Sequence, residues 1–279
     1  MPVSPLVRKI CDRARRAVCV LALSVALAAC GSDKEPEYVE RPVEDLYNAG
    51  MNTLLSGDFK NAARLFDEVE RQHPYSVWAS KAQLMGAYAH YQDNNYEDTI
   101  AALDRFIQLH PGNRDVAYAY YLKSLSYYEQ ISDVGRDQKM TVLALQSLEE
   151  LQRRFPKSKY GRDAALKSDL ARDHLAGKNM SIGRFYQSRG HNLAAINRFR
   201  LVVEVFQTTT HVTEALHRLV ECYLALGLTE EAQATAAVLG YNYPGSAWYA
   251  DSYALLTGAG AEPEENEDSW IAGIWGSSD

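Results

Sequence analysis

Few side chains in this sequence have the types and spacing that catalysis requires. Of seven histidines, His73 and His110 each directly precede a proline, and His211 and His217 are six residues apart, which places them on different faces of a helix. The sequence has no Gly-x-Ser-x-Gly elbow, no phosphate-binding loop and no His-Glu-x-x-His motif. Cysteine and histidine never occur at metal-ligand spacing, and the acidic residues are scattered. We therefore predict no enzymatic activity, no cofactor and no metal site.

Cys30 is the residue most clearly marked for covalent modification. Five basic residues and an apolar run over residues 17–28 precede it, as in a secretory signal, and the run is too short for a stable transmembrane span. With Ala28 and Ala29 directly before it, Cys30 resembles the cysteine of a bacterial lipobox. The resemblance implies cleavage before Cys30 and lipid on its thiol and new amino terminus, which would anchor the chain to a membrane. An ordinary signal peptide is the alternative.

Cleavage at this site would change both the cysteine count and the charge. Cys222 would be the one other cysteine left, and its apolar helical surroundings indicate a buried side chain rather than a reactive thiol. The net charge would change from −7 to −11, because the signal removes five basic residues and one acid. An acidic chain argues against nucleic acid and against anionic lipid surfaces as main partners.

A repeated pattern organises the rest of the chain. In its first copy Gly50 is followed by Gly57, Ala62, Phe66 and Pro74, which matches the tetratricopeptide pattern. Four further copies follow in register, whereas no sustained alternation of apolar and polar residues indicates a strand. In these copies the residues equivalent to Phe66 are Leu103, Leu148, Phe199 and Ala236.

The repeats predict an all-α fold, a right-handed α-solenoid of about five tetratricopeptide-like (TPR) helical hairpins. Glycine or asparagine at the turn lets the backbone reverse between two helices, and proline ends the second helix. Small residues, Gly50 with Ala62 and Gly183 with Ala195, let the paired helices approach closely. Each hairpin buries too little surface alone, so stability should come from stacking.

We divide the chain into five segments on this basis. These are a lipoprotein signal peptide (1–29), a lipid-anchored linker (30–42), an N-terminal half with repeats 1–3 (43–157), a C-terminal half with repeats 4 and 5 (158–257) and an acidic disordered tail (258–279). The tail ends in an apolar stretch, 270–275, which is either a floppy terminus or a docking segment that folds on a partner. A polar loop over 131–139 expands repeat 3. A long helix from about 161 to 175 means that repeat 4 is either extended or preceded by an extra helix.

Aromatic residues recur at the inner-face positions of the first helix in repeats 1–3. Tyrosine combines a large apolar ring with a hydroxyl that can bond a peptide backbone, which suits an extended peptide with aromatic side chains. The alternative is that the rings pack between neighbouring helices. The predicted peptide-binding groove comprises Tyr47, Met51, Leu84, Tyr88, Tyr91, Tyr118, Tyr121, Leu125 and Tyr128.

Several segments are more specific than the generic repeat pattern. They are residues 73–76 (HPYS), 104–111 (DRFIQLHP), 117–121 (AYAYY), 155–160 (FPKSKY) and 194–198 (AAINR). Together with the lipobox, they resemble the BamD (ComL) family, lipoprotein subunits of the outer-membrane β-barrel assembly machinery (BAM).

The resemblance implies an outer-membrane protein assembly factor that is an adaptor without catalysis, lipid-anchored on the periplasmic face of the outer membrane. It implies that the N-terminal repeats receive the C-terminal targeting signal of unfolded β-barrel proteins. The C-terminal repeats would dock the last POTRA domain of the barrel subunit BamA, and other BAM lipoproteins would be further partners. Arg198, in an Asn-Arg pair that the family shares, is the residue that we expect to contact BamA. The alternative is another periplasmic TPR lipoprotein scaffold, serving cell division or polysaccharide export or associated with peptidoglycan.

Overall fold

The structure is a computed structural model that describes residues 40–275. Within that range the chain forms twelve helices and no strand. None of these helices has the length and hydrophobicity needed to cross a membrane. The helices are α1 (Val43–Leu55), α2 (Phe59–Gln72), α3 (Val77–Gln92), α4 (Tyr96–Leu109), α5 (Val116–Tyr128), α6 (Lys139–Arg154), α7 (Lys159–Gln187), α8 (Asn192–Val205), α9 (Val212–Ala225), α10 (Thr229–Asn242), α11 (Ala247–Gly258) and α12 (Ala272–Trp275).

Consecutive helices pack as hairpins, which confirms the predicted all-α array of five TPR-like units. The pairs are α1–α2, α3–α4, α5–α6, α7–α8 and α9–α10, and α11 packs against the last pair. Helix α7 is continuous over 29 residues, so repeat 4 has an extended first helix rather than a separate preceding one. Ala164 in its first half packs against α6, and Met180 in its second half lies in one core cluster with Phe199 of α8.

The turns inside four of the hairpins use the residues that the repeat pattern predicted. Gly57, Gly190 and Gly227 have φ of 84°, 75° and 73°, and Asn94 has φ of 57°. A side chain with a Cβ rarely adopts this left-handed conformation, and glycine and asparagine tolerate it best. The backbone can therefore reverse within three or four residues, which brings the two helices of a hairpin into contact.

In repeats 1 and 4 a glycine of the first helix faces an aromatic ring of the second helix. A Cβ added to Gly50 would lie 2.8 Å from Cε1 of Phe66, and one added to Gly183 would lie 2.4 Å from Cε1 of Phe199. From the sequence we predicted that these helices approach closely because Gly50 is paired with Ala62 and Gly183 with Ala195. Both alanines are buried as expected, but the rings are what exclude a side chain at the glycines.

The prediction of a disordered tail after residue 258 is wrong for residues 261–275. Ile271 is 1% exposed, and the Trp270 ring packs under the Arg200 guanidinium at 4.0 Å. Ser269 Oγ donates a hydrogen bond to Glu231 of α10 at 2.7 Å. Although the segment is rich in glutamate, its apolar residues bury against the last repeats, and this burial offsets the entropy of ordering it.

Cys222 is fully buried in the core of the C-terminal repeats, as predicted. Burial raises the pKa of its thiol to about 12, so the side chain stays a neutral thiol at physiological pH.

Candidate peptide groove and partner-docking residue

The predicted lipidation site, Cys30, and the predicted signal peptide lie outside the described residues. Lipid attachment at this residue therefore stays a prediction from the sequence.

In repeat 1 the predicted groove residues are partly covered by the next repeat. The Tyr47 ring lies 5.6 Å from the Phe66 ring in an edge-on arrangement and 4.8 Å from the Trp78 ring of α3. Met51 flanks the same core cluster and is half-buried. Burial also raises the pKa of the Tyr47 hydroxyl, which therefore remains a hydrogen-bond donor at neutral pH.

The aromatic cover over the inner face comes from a junction motif that recurs between repeats. The motif is Pro-x-Ser-x-aromatic, and its serines at 76, 158 and 246 each cap the following helix. The aromatic residue two positions later lies in the first turn and reaches back to the preceding repeat. The Trp78 ring packs at a tilt against Tyr47, the Tyr160 ring against Tyr121, and the Trp248 ring against His217.

Repeats 2 and 3 bring the largest group of predicted groove residues together. Tyr88, Tyr91 and Tyr118 border one core cluster, and the Tyr160 ring lies 5.5 Å from Tyr118 and 5.1 Å from Tyr121. We call these five rings the tyrosine cluster. Every residue in it is half-buried, so each keeps some exposed surface.

Leu84 differs from the other predicted groove residues. It is 8% exposed and lies in a core cluster with Phe106 and Leu122. Because it is buried beneath the tyrosines, it supports the cluster and offers no surface of its own. The repeat pattern predicted that the Leu84 side chain is on the inner face of the helix, but it did not predict how deeply this side chain is buried.

Two carboxylates accept hydrogen bonds from the tyrosine cluster. Tyr121 donates to Asp163 at 2.6 Å, and Tyr91 donates to Glu129 at 3.5 Å. Burial, reinforced by the nearby acid, raises the pKa of Tyr91 to about 12 and also raises the pKa of Tyr121. Hydrogen bonds from Lys167 and then Tyr121 lower the pKa of Asp163, so this carboxylate is charged at neutral pH.

At its far end the groove opens into a cleft of about 660 Å³ between repeat 3 and α7. Tyr128 lines the cleft, together with Glu129, His211 and Arg184. Leu125, one helical turn before Tyr128, is half-buried. The wall of the groove therefore changes from aromatic to mixed-charge along the chain.

Arg198 lies on α8 and faces α7. Its Nη1 is 3.5 Å from the Oδ1 of Asn179, and it has no carboxylate within 4.0 Å in the described part of the chain. Nearby arginines differ, since Arg184 pairs with Glu214 at 3.0 Å. A half-buried guanidinium with one long contact to a neutral amide retains donors for an incoming carboxylate.

Sequence reasoning missed two members of the site, Tyr160 and Asp163. Both lie in the first turns of α7, outside the three first helices whose inner positions were considered. The recurring Pro-x-Ser-x-aromatic motif was the available signal, because it places an aromatic residue at the start of α7 as it does at the start of α3.

Comparison with known proteins identifies the family of the chain. Residues 39–239 match the family model YfiO, described as an outer membrane lipoprotein. The chain belongs to this family. It is 51% identical to "Outer membrane protein assembly factor BamD" of Caulobacter vibrioides, over 89% of this chain and 83% of the relative. It is 47% identical to the protein of the same name from Rickettsia prowazekii, over 85% of this chain and 94% of the relative. The resemblance to the BamD family is thus confirmed.

Among solved structures, the TPR domain of P58(IPK) matches with a TM-score of 0.40 at 14% identity, covering 83% of this chain and 63% of that chain. A thermophilic TPR protein of Thermus thermophilus, TTC0263, matches with a TM-score of 0.36 at 18% identity, covering 76% and 98%.

Proposed function

We propose that this family member serves as an outer-membrane protein assembly factor, lipid-anchored at Cys30 on the periplasmic face of the outer membrane. In this proposal it is an adaptor without a catalytic step, which binds unfolded β-barrel proteins and docks on BamA beside other BAM lipoproteins. Family membership over residues 39–239 supports the proposal, as do relatives named as assembly factors. The same match favours this role over another periplasmic TPR lipoprotein scaffold.

The tyrosine cluster is the observation that carries the substrate-binding part of the proposal. Its rings supply apolar area at low entropic cost. The hydroxyls of Tyr88, Tyr118 and Tyr160, which are not the donors to Asp163 and Glu129, can donate to a peptide backbone. A C-terminal targeting segment of a barrel protein, ending in an aromatic residue, offers a ring and backbone carbonyls to such a surface. We assign this role to the N-terminal half, residues 43–157, with Tyr160 and Asp163 contributed by α7.

We assign BamA docking to the C-terminal half, residues 158–257, through Arg198. Its guanidinium is held near Asn179 but is not neutralised there. A carboxylate on the POTRA region could accept two parallel hydrogen bonds from it, a geometry in which lysine cannot replace arginine.

The test is a titration of the purified chain against the POTRA region and, separately, against a peptide with a terminal aromatic residue. We expect Arg198→Glu to weaken POTRA binding by about 2–5 kcal/mol if the pair is buried and to leave peptide affinity unchanged. An acid-to-base change on the partner should restore binding. Unchanged POTRA affinity would reject Arg198 as the docking residue. Loss of both interactions, with loss of the helical signal, would show that the variant unfolds and would equally reject the docking role.

A further inference from the structure

The negative charge of the chain is concentrated at its C-terminal end. Residues 219–279 contain ten acidic residues and no lysine, arginine or histidine, whereas residues 30–218 are almost balanced. After cleavage at Cys30, ten of the eleven net negative charges would thus lie in the last 61 residues. A negatively charged region attracts cationic partners and repels anionic ones, including a second copy of itself.

A groove lies inside this acidic region, between α10 and the tail. The outer face of α10 supplies an apolar floor from Ala237, Val238 and Tyr241, and the tail supplies Glu265 and Glu267 along the other side. The groove has a volume of about 690 Å³. Tyr241 is 81% exposed, so its ring is available to a partner. We call this the α10–tail groove.

The acidic side of the α10–tail groove is fixed to the helix by several contacts. Gln233 Nε2 donates to the Glu262 carbonyl at 2.8 Å, and Ser269 Oγ donates to Glu231 at 2.7 Å. Ile271 is buried next to the last of these contacts. Because both ends of the glutamate-rich stretch are tied to α10, a ligand would find the acidic wall already in place, which reduces the ordering cost of binding.

The apolar floor is unusual for its position in the repeat. Tyr241 occupies the repeat position that Arg71 occupies in α2, and Ala237 occupies the position of Asp67, of Asp104 in repeat 2 and of Arg200 in repeat 4. Terminal units of stacked repeats ordinarily carry a polar outer face for solubility. Helix α10 instead exposes Tyr241, and the charged residues of α10 and of the tail are all acidic.

We propose that the α10–tail groove binds a basic segment of a partner protein, with an apolar side chain on Tyr241 and lysine or arginine side chains against Glu265 and Glu267. Long basic side chains suit such a groove, since their aliphatic stems cover apolar surface while their charged ends reach the carboxylates. This partner is distinct from the one assigned to Arg198. That residue faces α7, whereas Arg200, about 200° around α8, packs on Trp270 of the tail.

The experiment places a photo-crosslinking residue, p-benzoylphenylalanine, at position 241 of the full-length lipoprotein in cells. We expect a covalent adduct with another protein whose crosslinked segment, mapped by mass spectrometry, contains lysine or arginine. Charge reversal by Glu265→Lys with Glu267→Lys should lower the adduct yield about tenfold, and irradiation of isolated membranes in 0.5 M salt should lower it as well. The matched control, Glu44→Lys with Asp45→Lys on α1, changes the net charge equally at the other end and should leave the yield unchanged.

Several results would overturn the proposal. One is the absence of an adduct, and another is an adduct with lipid or with a second copy of the chain. A third is an adduct yield that the charge reversal leaves unchanged. An adduct with the POTRA region would make the groove part of the BamA docking surface and would likewise overturn a separate partner. Arg198→Glu should leave the adduct intact, so the failure of BamA docking and the failure of this proposal are distinguishable.

Discussion

Gly183→Ala is the substitution for which the structure makes the sharpest energetic prediction. The added Cβ would lie 2.4 Å from Cε1 of Phe199 and 2.8 Å from two further ring atoms. Phe199 is fully buried in the core of the C-terminal repeats, so its ring has no solvent to move into. Either the ring leaves its preferred rotamer or α7 and α8 move apart.

Two effects of opposite sign determine the size of the change. Replacing a helical glycine by alanine favours the helix by up to about 1 kcal/mol. Overpacking a dense core costs about 1–3 kcal/mol, and a 2.4 Å approach is far inside van der Waals contact, which places this site at the upper end. We therefore expect a net loss of about 1–2 kcal/mol in the free energy of unfolding.

The companion change Phe199→Leu tests the cause. Repeat 2 already combines Ala87 with Leu103 at the two equivalent positions, so Gly183→Ala with Phe199→Leu copies a packing that the chain uses. Phe199→Leu alone leaves a cavity and should cost about 1–3 kcal/mol. The double variant should be at least about 1 kcal/mol more stable than the sum of the single losses predicts.

Urea unfolding followed by far-ultraviolet circular dichroism measures all three variants. Gly258→Ala is the control, because a Cβ at that helical glycine meets no atom within 4 Å and should stabilise slightly or change nothing. Wild-type stability of Gly183→Ala, or strictly additive losses in the double variant, would refute the assigned contact between the two helices.

Three further predictions concern the anchor, the groove and the response to acid. Cys30→Ser should release the chain from membranes or leave it unprocessed, and unchanged acyl labelling and fractionation would contradict lipidation there. Tyr88→Ala with Tyr121→Ala should weaken binding of a peptide with a terminal aromatic residue by about 2 kcal/mol or more, measured by titration, and crosslinking of that peptide only to repeats 4 and 5 would exclude the groove. Burial opposes ionisation of Glu221, but three side-chain hydrogen bonds lower its pKa to about 2. The ionised Glu221 therefore contributes its full stabilisation above its ordinary pKa of 4.5, and this stabilisation is lost as pH falls towards 2. Glu221→Gln should therefore flatten the unfolding free energy across that pH range, and an unchanged acid limb would show that other groups determine it.

The repeat units and turns could be predicted from the sequence because each has a local steric cause. Gly57, Asn94, Gly190 and Gly227 mark positions where the backbone conformation itself excludes most residues. Such constraints act within a few residues and recur at the same spacing. They are therefore visible in the sequence before any tertiary contact is known.

The features that the sequence analysis missed or predicted wrongly depend on contacts between different helices. Tyr160 belongs to α7, but its ring packs against two tyrosines of α5, a contact that no pattern within repeat 3 contains. The position of Leu84 in the repeat predicted the helix face on which it lies, but the burial of its side chain depends on the neighbouring helices. In the tail, six acidic residues dominate the composition, whereas the buried Ile271 and the Trp270 ring under Arg200 determine the structure over residues 261–275.

Helix α7 connects the two candidate sites in one rigid element. Its first turns supply Tyr160 and Asp163 to the tyrosine cluster, and Asn179, sixteen residues after Asp163, contacts Arg198. At 1.5 Å per residue these points are about 24 Å apart along the axis. The helix contains no proline and is unbroken over its 29 residues, so one continuous helix spans both sites. In the proposed function, the extension of repeat 4, which departs from the regular repeat length, would hold a precursor on the tyrosine cluster at a fixed distance from a partner docked at Arg198.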